Sequence, residues 1–596
     1  MHNLFPAVSK NSTSQSRRQV NSRTGKPLRQ PPLTPPPRRW GGGWGAGFFI
    51  PALCNALMLL PAVLSATKAV GAERIYASYS VLERSISVSA LEAYAKEGKI
   101  DEDLAAYLQY FPREQQQQLR QALLARADLS PITISQFLYT PQGEIALKRL
   151  GQVIQTGTRQ PGKLAIRAAL ILAAADPEGL TPINVLRKFP TDGIRIDLAR
   201  ALDLFQDLQQ VVNQSNRATA FVERLSQAQV HSQPGIRKFS QSDLSQLGPL
   251  RWQTLSINVT ISNSRLPTAP VGPRVFPADI YLPQLQGETQ PAPVIVISHG
   301  LGSDRKTFQY LAEHLASYGF AVAVPQHPGS DARQFLALVN GTASEVAEPA
   351  EFIARPLDVK YLLDALAELE KTDPALRGRL NLEQVGVVGQ SFGGYTSLAL
   401  AGAPIDFQQL QADCQNLDTT WNISLLLQCR ALELPRLDYQ LGDPRIKAAL
   451  AINPVDSSIL GPKSLSQIKV PVMLVASGAD TAAPALPEQI RPFTWLRTPN
   501  KYLVLIGNGT HFSTLVESES DPVKIPAEVI GPSPALAYRY ASALSLAFFQ
   551  TYIANQPQYR LYLQPSYIST LSRNPLPLSL IESLSESDLQ QALKDN

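Results

Sequence analysis

Val385-Gly386-Val387-Val388-Gly389-Gln390-Ser391-Phe392-Gly393-Gly394 is the stretch on which the reading of this chain turns. The run up to Gly389 has the short, apolar, β-branched character of a buried strand, and residues 395–401 beyond it read as a helix. Between the two lies a G-x-S-x-G pentapeptide. A serine on a sharp strand-to-helix turn has its hydroxyl projected away from the backbone, where a base can reach it. The flanking glycines let strand and helix approach closely around that strained turn. Five residues recur by chance, so the pentapeptide needs support from the rest of the chain.

Outward from Ser391, strand-like and helix-like segments alternate. Strands are predicted at 255–261, 276–282, 293–298, 321–325, 385–389, 446–452, 470–476 and 502–506. Helices are predicted at 308–317, 356–370, 395–401 and 534–554. Continuous apolar strands separated by helices imply a mostly parallel sheet covered on both faces.

A serine nucleophile needs a base, and His511 is the only histidine after Ser391. It lies in Gly507-Asn508-Gly509-Thr510-His511, directly after the strand at 502–506. The base needs a carboxylate that fixes its tautomer and stabilises the imidazolium. Asp480 follows the strand at 470–476, in Ser477-Gly478-Ala479-Asp480. Asp456, after the preceding strand, is the competing acid and is otherwise read as a loop or capping residue. The order Ser391, Asp480, His511 is the one that α/β-hydrolases use. The developing oxyanion requires preorganised donors. The expected pair is the backbone N–H of Phe392 and that of Leu301, in His299-Gly300-Leu301-Gly302 after the strand at 293–298. His299 is read as holding that loop, and His327 as structural or pocket-lining because it precedes the nucleophile. No metal-ligand spacing is present, and no cofactor is expected.

The chain has 596 residues, of which 44% are hydrophobic and 17% charged, an ordinary globular composition. Its net charge of +5 is small and is concentrated near the N-terminus, so nucleic acid is not an expected partner. Residues 1–72 read as a Pro-, Arg- and Ser-rich leader followed by an apolar signal segment. A membrane anchor is the alternative, but Pro51 and Pro61 interrupt any continuous helix. Residues 73–230 read as a small, mostly helical domain that opens with a short strand pair. Ser89 is its first expected N-cap, and further helices are predicted at 101–110, 112–127, 144–155, 163–174 and 194–211. This domain is read as a packed helical unit, or as one that lids the catalytic part or docks a partner. Residues 231–250 read as a linker, 250–555 as the catalytic domain and 556–596 as a loop-rich tail. An insertion at 404–441 interrupts the catalytic domain and contains Cys414 and Cys429. With Cys54 removed in the leader, this even pair suggests one disulfide in an oxidising compartment.

Ser298-His299-Gly300-Leu301-Gly302-Ser303 and the serine pentapeptide resemble the platelet-activating-factor acetylhydrolase-like and dienelactone hydrolase-like branch of the α/β-hydrolases. Gly478-Ala479-Asp480-Thr481 and Gly509-Thr510-His511-Phe512 are similar to the bacterial cutinase and polyester-hydrolase branch. Ala72-Glu73-Arg74-Ile75 and residues 92–100 resemble an uncharacterised helical domain preceding exported hydrolases of cyanobacterial type. These resemblances imply an α/β-hydrolase fold and an exported serine carboxylic ester hydrolase, in the periplasm, thylakoid lumen or extracellular space. The implied substrate is a small-molecule or lipid ester, with peripheral membrane contact allowed for. Polyester or cutin-type hydrolysis is one alternative. A non-catalytic scaffold whose helical domain docks a partner is another.

Overall fold

Two short alternating segments open the N-terminal part of the structure, a computed structural model that describes residues 71–232, 243–261, 273–285, 290–516 and 527–594. Strands β1 (Arg74–Tyr79) and β2 (Leu82–Ser87) pair antiparallel. They are joined by β3 (Ile154–Thr156) and β4 (Gly193–Asp197) in the order β2-β1-β4-β3. The expected strand pair is thus extended by β3 and β4 into a four-stranded sheet, while most of residues 73–230 are helical. Residues 194–211 were expected to form one helix, yet Ile194 and Ile196 alternate with Arg195 and Asp197, and that period of two wins locally. The segment pairs with β1, and the helix starts only at Leu198. The first cap also differs: Ser87, not Ser89, accepts the Ala90 N–H at 3.0 Å. The leader and signal segment lie outside the described residues, apart from its last two positions.

The large sheet has nine strands in the order β13-β12-β11-β10-β9-β7-β8-β6-β5. These are β5 (Trp252–Ile261), β6 (Arg274–Pro283), β7 (Ala292–Ser298), β8 (Ala321–Pro325), β9 (Leu380–Gln390), β10 (Ile446–Ile452), β11 (Val472–Ser477), β12 (Lys501–Ile506) and β13 (Leu578–Ile581). Strands β7 to β12 run parallel to their neighbours; β5, β6 and β13 supply the antiparallel pairings. Alternate residues of one strand feed opposite cores. Ile295 and Ile297 pack with the helices Gln309–Ala316 and Pro534–Tyr552, whereas Val294 and Val296 pack with the helix Glu351–Thr372. Both faces are therefore apolar, and the strands read as unbroken hydrophobic runs.

Two further departures bear on the site. The helix expected to start at Pro356 starts five residues earlier and runs through the proline. Pro356 cannot donate to the Phe352 carbonyl. The Tyr395 hydroxyl, one turn beyond the serine, donates to that carbonyl instead at 2.8 Å. Beyond residue 555, the last strand β13 pairs antiparallel with β12, Leu503 opposite Ile581 and Ile506 opposite Leu578. The second half of the helix Leu198–Ser232 packs against β13, where Ser226 Oγ accepts the Leu580 N–H at 3.1 Å.

Candidate active site

Ser391 directly follows β9 and precedes the helix Phe392–Leu400, with φ 56° and ψ −117°. A non-glycine residue held there costs about 1–3 kcal/mol and persists only where its surroundings impose it. They do so here. The Ser391 N–H donates to the Ile452 carbonyl of β10 at 2.8 Å. A Cβ at Gly389 would lie 2.1 Å from the Gly393 oxygen, and one at Gly393 would lie 2.0 Å from the Ser298 oxygen. Only glycine fits at those two positions, so strand, turn and helix lock together around the serine.

The loops after β11 and β12 bring two more of the expected residues together. His511 Nδ1 lies 2.7 Å from Asp480 Oδ2, and both side chains are buried. The other Asp480 oxygen accepts the Ala482 and Ala483 N–H groups at 2.8 and 2.7 Å. That carboxylate is therefore fully engaged as an acceptor and holds the histidine with its proton on Nδ1, leaving Nε2 as the acceptor. Gln390, the residue before the serine, donates from Nε2 to the His511 carbonyl at 3.1 Å, tying the two loops. Among the described residues no hydrogen bond joins the Ser391 hydroxyl to His511. Such bonds are often long in ligand-free sites and shorten with substrate.

Asp456, the competing acid, occupies a different environment. It is fully buried, and neither carboxyl oxygen has a hydrogen-bond partner among the described residues. Burial, reinforced by the neighbouring Glu488, pushes its pKa well above the usual aspartate value, which favours the neutral acid.

The loop carrying Leu301 rests on a buried polar network. His327 Nδ1 donates to Asp358 Oδ2 at 2.9 Å, and His327 Nε2 accepts from the Ser298 hydroxyl at 3.0 Å. The His327 backbone N–H donates to His299 Nε2 at 3.1 Å, and His299 Nδ1 donates to the Gly300 carbonyl at 2.8 Å. Arg355 donates to the His299 carbonyl, and its guanidinium lies 4.6 Å over the Phe392 ring. Arg274 clamps Asp358 with two hydrogen bonds, at 2.7 and 2.8 Å, and also pairs with Glu351. Both histidines are held neutral, first by burial and then by the Arg355 charge. Among the described residues the Leu301 and Phe392 N–H groups, the two expected oxyanion donors, have no acceptor in the protein. Sequence reasoning missed Arg274, Glu351, Arg355 and Asp358. For Arg355 and Asp358 the signal was charged residues inside the otherwise apolar stretch 352–366, which a simple helix reading treats as a solvated face. Cys414 and Cys429 are joined by a disulfide.

Two family models match parts of the chain. Residues 71–197 match "Alpha/beta hydrolase of unknown function (DUF1400)". Residues 276–360, from β6 through the first part of the helix Glu351–Thr372, match "Platelet-activating factor acetylhydrolase, isoform II". Both matches support the α/β-hydrolase superfamily. The second suggests a hydrolase of the lipase or esterase type. No curated protein matches the chain.

Proposed function

We propose that the protein is an exported serine hydrolase of carboxylic esters, working through an acyl-enzyme. Ser391 Oγ attacks the ester carbonyl while His511 Nε2 takes its proton. The tetrahedral oxyanion is met by the Leu301 and Phe392 N–H groups. His511 returns the proton to the departing alcohol, and the acyl group stays on Ser391. His511 then takes a proton from water, which attacks the acyl-enzyme, and gives that proton to Ser391 Oγ as its bond to the acyl group breaks and the acid leaves. Asp480 keeps the imidazole in the required tautomer and stabilises it when charged.

The observation that carries this reading is the buried 2.7 Å Asp480–His511 pair, on loops at the same sheet end as the strained Ser391. The free N–H groups of Leu301 and Phe392 add to it, because oxyanion stabilisation is a large part of acyl-transfer catalysis. Export is supported by the Cys414–Cys429 disulfide. No helix among the described residues is long and apolar enough to cross a membrane. The test is hydrolysis of a panel of p-nitrophenyl esters by wild type and Ser391→Ala. Loss of turnover in a folded variant is expected; retained turnover removes Ser391 from the mechanism.

A further inference from the structure

Two elements rise from the carboxyl end of the large sheet, where open α/β sheets bind their ligands. One is the helix Ala332–Val339, which follows β8. Its start is bonded to the loop that supplies Leu301: the Gly302 N–H donates to Ser330 and the Ala332 N–H to the Ser303 carbonyl, both at 2.9 Å. The other is the insertion 404–441. Buried Glu488, beyond the Asp480 loop, accepts from Ser424 and Gln428 of the insertion and from the Asp456 and Ser457 N–H groups after β10. A cavity of about 610 Å³ lies between the insertion and the segment made by the helix Ala332–Val339 and the loop after it, with Gln334, Ser344 and Glu348 on one side and Arg430, Glu433 and Leu434 on the other. Among the described residues one ion pair, Arg430 to Glu345 at 2.8 Å, links its two sides.

A pair of N-terminal helices touches both elements. Pro131–Tyr139 and Pro141–Val153 meet at Thr140, whose hydroxyl donates to the Phe137 carbonyl at 2.7 Å and accepts the Gly143 N–H at 3.1 Å. A Cβ at Gly143 would lie 2.1 Å from the Phe137 oxygen, so the corner is tightly closed. The first helix reaches Ala332–Val339, where Thr133 Oγ1 donates to the Val339 carbonyl at 3.1 Å. The second reaches the insertion. Gln142 donates to the Leu426 carbonyl at 3.1 Å, and Lys148 pairs with Asp418. Arg149 donates to the carbonyls of Leu417, Asp418 and Thr420, with its guanidinium 5.5 Å over the Trp421 ring.

We propose that this helix pair is a bracket that sets the width of the substrate gap between Ala332–Val339 and the insertion, with Arg149 as its specificity-determining contact. Each element is also anchored in the catalytic domain, and the bracket adds a tie between the two from outside it. Arg149 acts through the insertion and touches no reacting atom. The idea rests on the ester-hydrolase reading for its substrate and on the described contacts for its mechanics.

The test uses the full chain as wild type, Arg149→Ala, Arg149→Lys and the control Arg187→Ala, whose partners Glu92 and Glu178 lie within the N-terminal part. The readout is the ratio of kcat/KM for p-nitrophenyl octanoate to that for p-nitrophenyl acetate. Arg149→Ala is expected to shift the ratio about fivefold or more, the effect of one lost hydrogen bond. Turnover of the acetate stays within about twofold. Arg149→Lys gives the same shift, because an ammonium cannot serve three carbonyls with a planar fork. Arg187→Ala leaves the ratio unchanged. An unchanged ratio in Arg149→Ala, or a parallel loss on both esters, overturns the proposal. Hydrogen exchange on a Ser391→Ala background reads the bracket without catalysis. Amides of residues 421–428 should exchange about tenfold faster once Arg149 is removed, and equal exchange overturns it. If wild type neither hydrolyses esters nor takes up an active-site label, the ester reading has failed, and the exchange result still decides on the bracket.

Discussion

At the scale of single residues, two aspartates near the same sheet end have opposite environments. Asp480 accepts two backbone N–H groups and a histidine, while Asp456 has no partner at either oxygen. The proposed mechanism therefore expects Asp480→Asn to cut kcat by about 10⁴-fold, since an amide favours the wrong imidazole tautomer. Asp456→Asn should leave kcat within about twofold of wild type. Its effect should appear in stability. The folded pKa of Asp456 is raised, so the fold holds a proton that the unfolded chain releases from about pH 4 upward. That linkage costs the wild type stability as pH rises above this range. Asp456→Asn abolishes the cost, so its melting temperature should gain on wild type from pH 4 toward pH 8. A constant difference across that range would mean that Asp456 is ionised in the fold. The sequence favoured Asp480 by its place and chain order and kept Asp456 as the competing acid, because each follows a buried strand. In the structure the surroundings of the two carboxyls differ.

At the scale of elements, the helix Glu351–Thr372 shows how a local rule is overridden. A proline read as a helix start lies in the second turn, and the carbonyl it leaves free is satisfied by Tyr395 from a neighbouring helix. Tyr395→Phe should destabilise the protein by about 1–3 kcal/mol, the cost of a buried carbonyl without a donor. Pro356→Ala restores a backbone donor to Phe352, so the same tyrosine change should cost much less in that background. Equal costs in the two denaturation series would contradict the exchange of donors. The same helix carries Asp358, which orients His327 beneath the Leu301 loop. His327→Ala should lower kcat about ten- to a hundredfold with KM little changed, as expected when a donor is misplaced by a fraction of an ångström to an ångström. A rise in KM alone would place His327 in binding. The strands of the large sheet were legible because both faces are buried and the runs are continuous. The opening N-terminal strand pair was legible too, but β3 and β4 were not. β3 and β4 are three and five residues long and adjoin helices, so their alternation is too brief to outweigh the helical pattern beside it.

At the scale of the whole molecule, segments far apart in sequence close the same structure. The helix Pro141–Val153 is hydrogen-bonded to the insertion, the helix Leu198–Ser232 packs on β13, and β13 completes an edge of the sheet. Such long-range pairings leave little trace in local sequence, which is why residues beyond 555 read as a loop-rich tail. The Cys414–Cys429 bond closes a loop with a sequence separation of 15 residues within the insertion. Its reduction should lower stability by about 3 kcal/mol in the chain-entropy model, measured as the shift in denaturation midpoint with and without reductant. An unshifted midpoint would mean that the noncovalent contacts of the insertion hold it without the disulfide. The proposed mechanism rests on Ser391 as nucleophile, read from its strained backbone and the Asp480–His511 pair at the same sheet end. Mass spectrometry of the full chain after treatment with a fluorophosphonate tests that most directly. The account predicts one adduct, on the peptide containing Ser391, with none in Ser391→Ala. An unlabelled Ser391 in the folded protein, or a label on another residue, would contradict it.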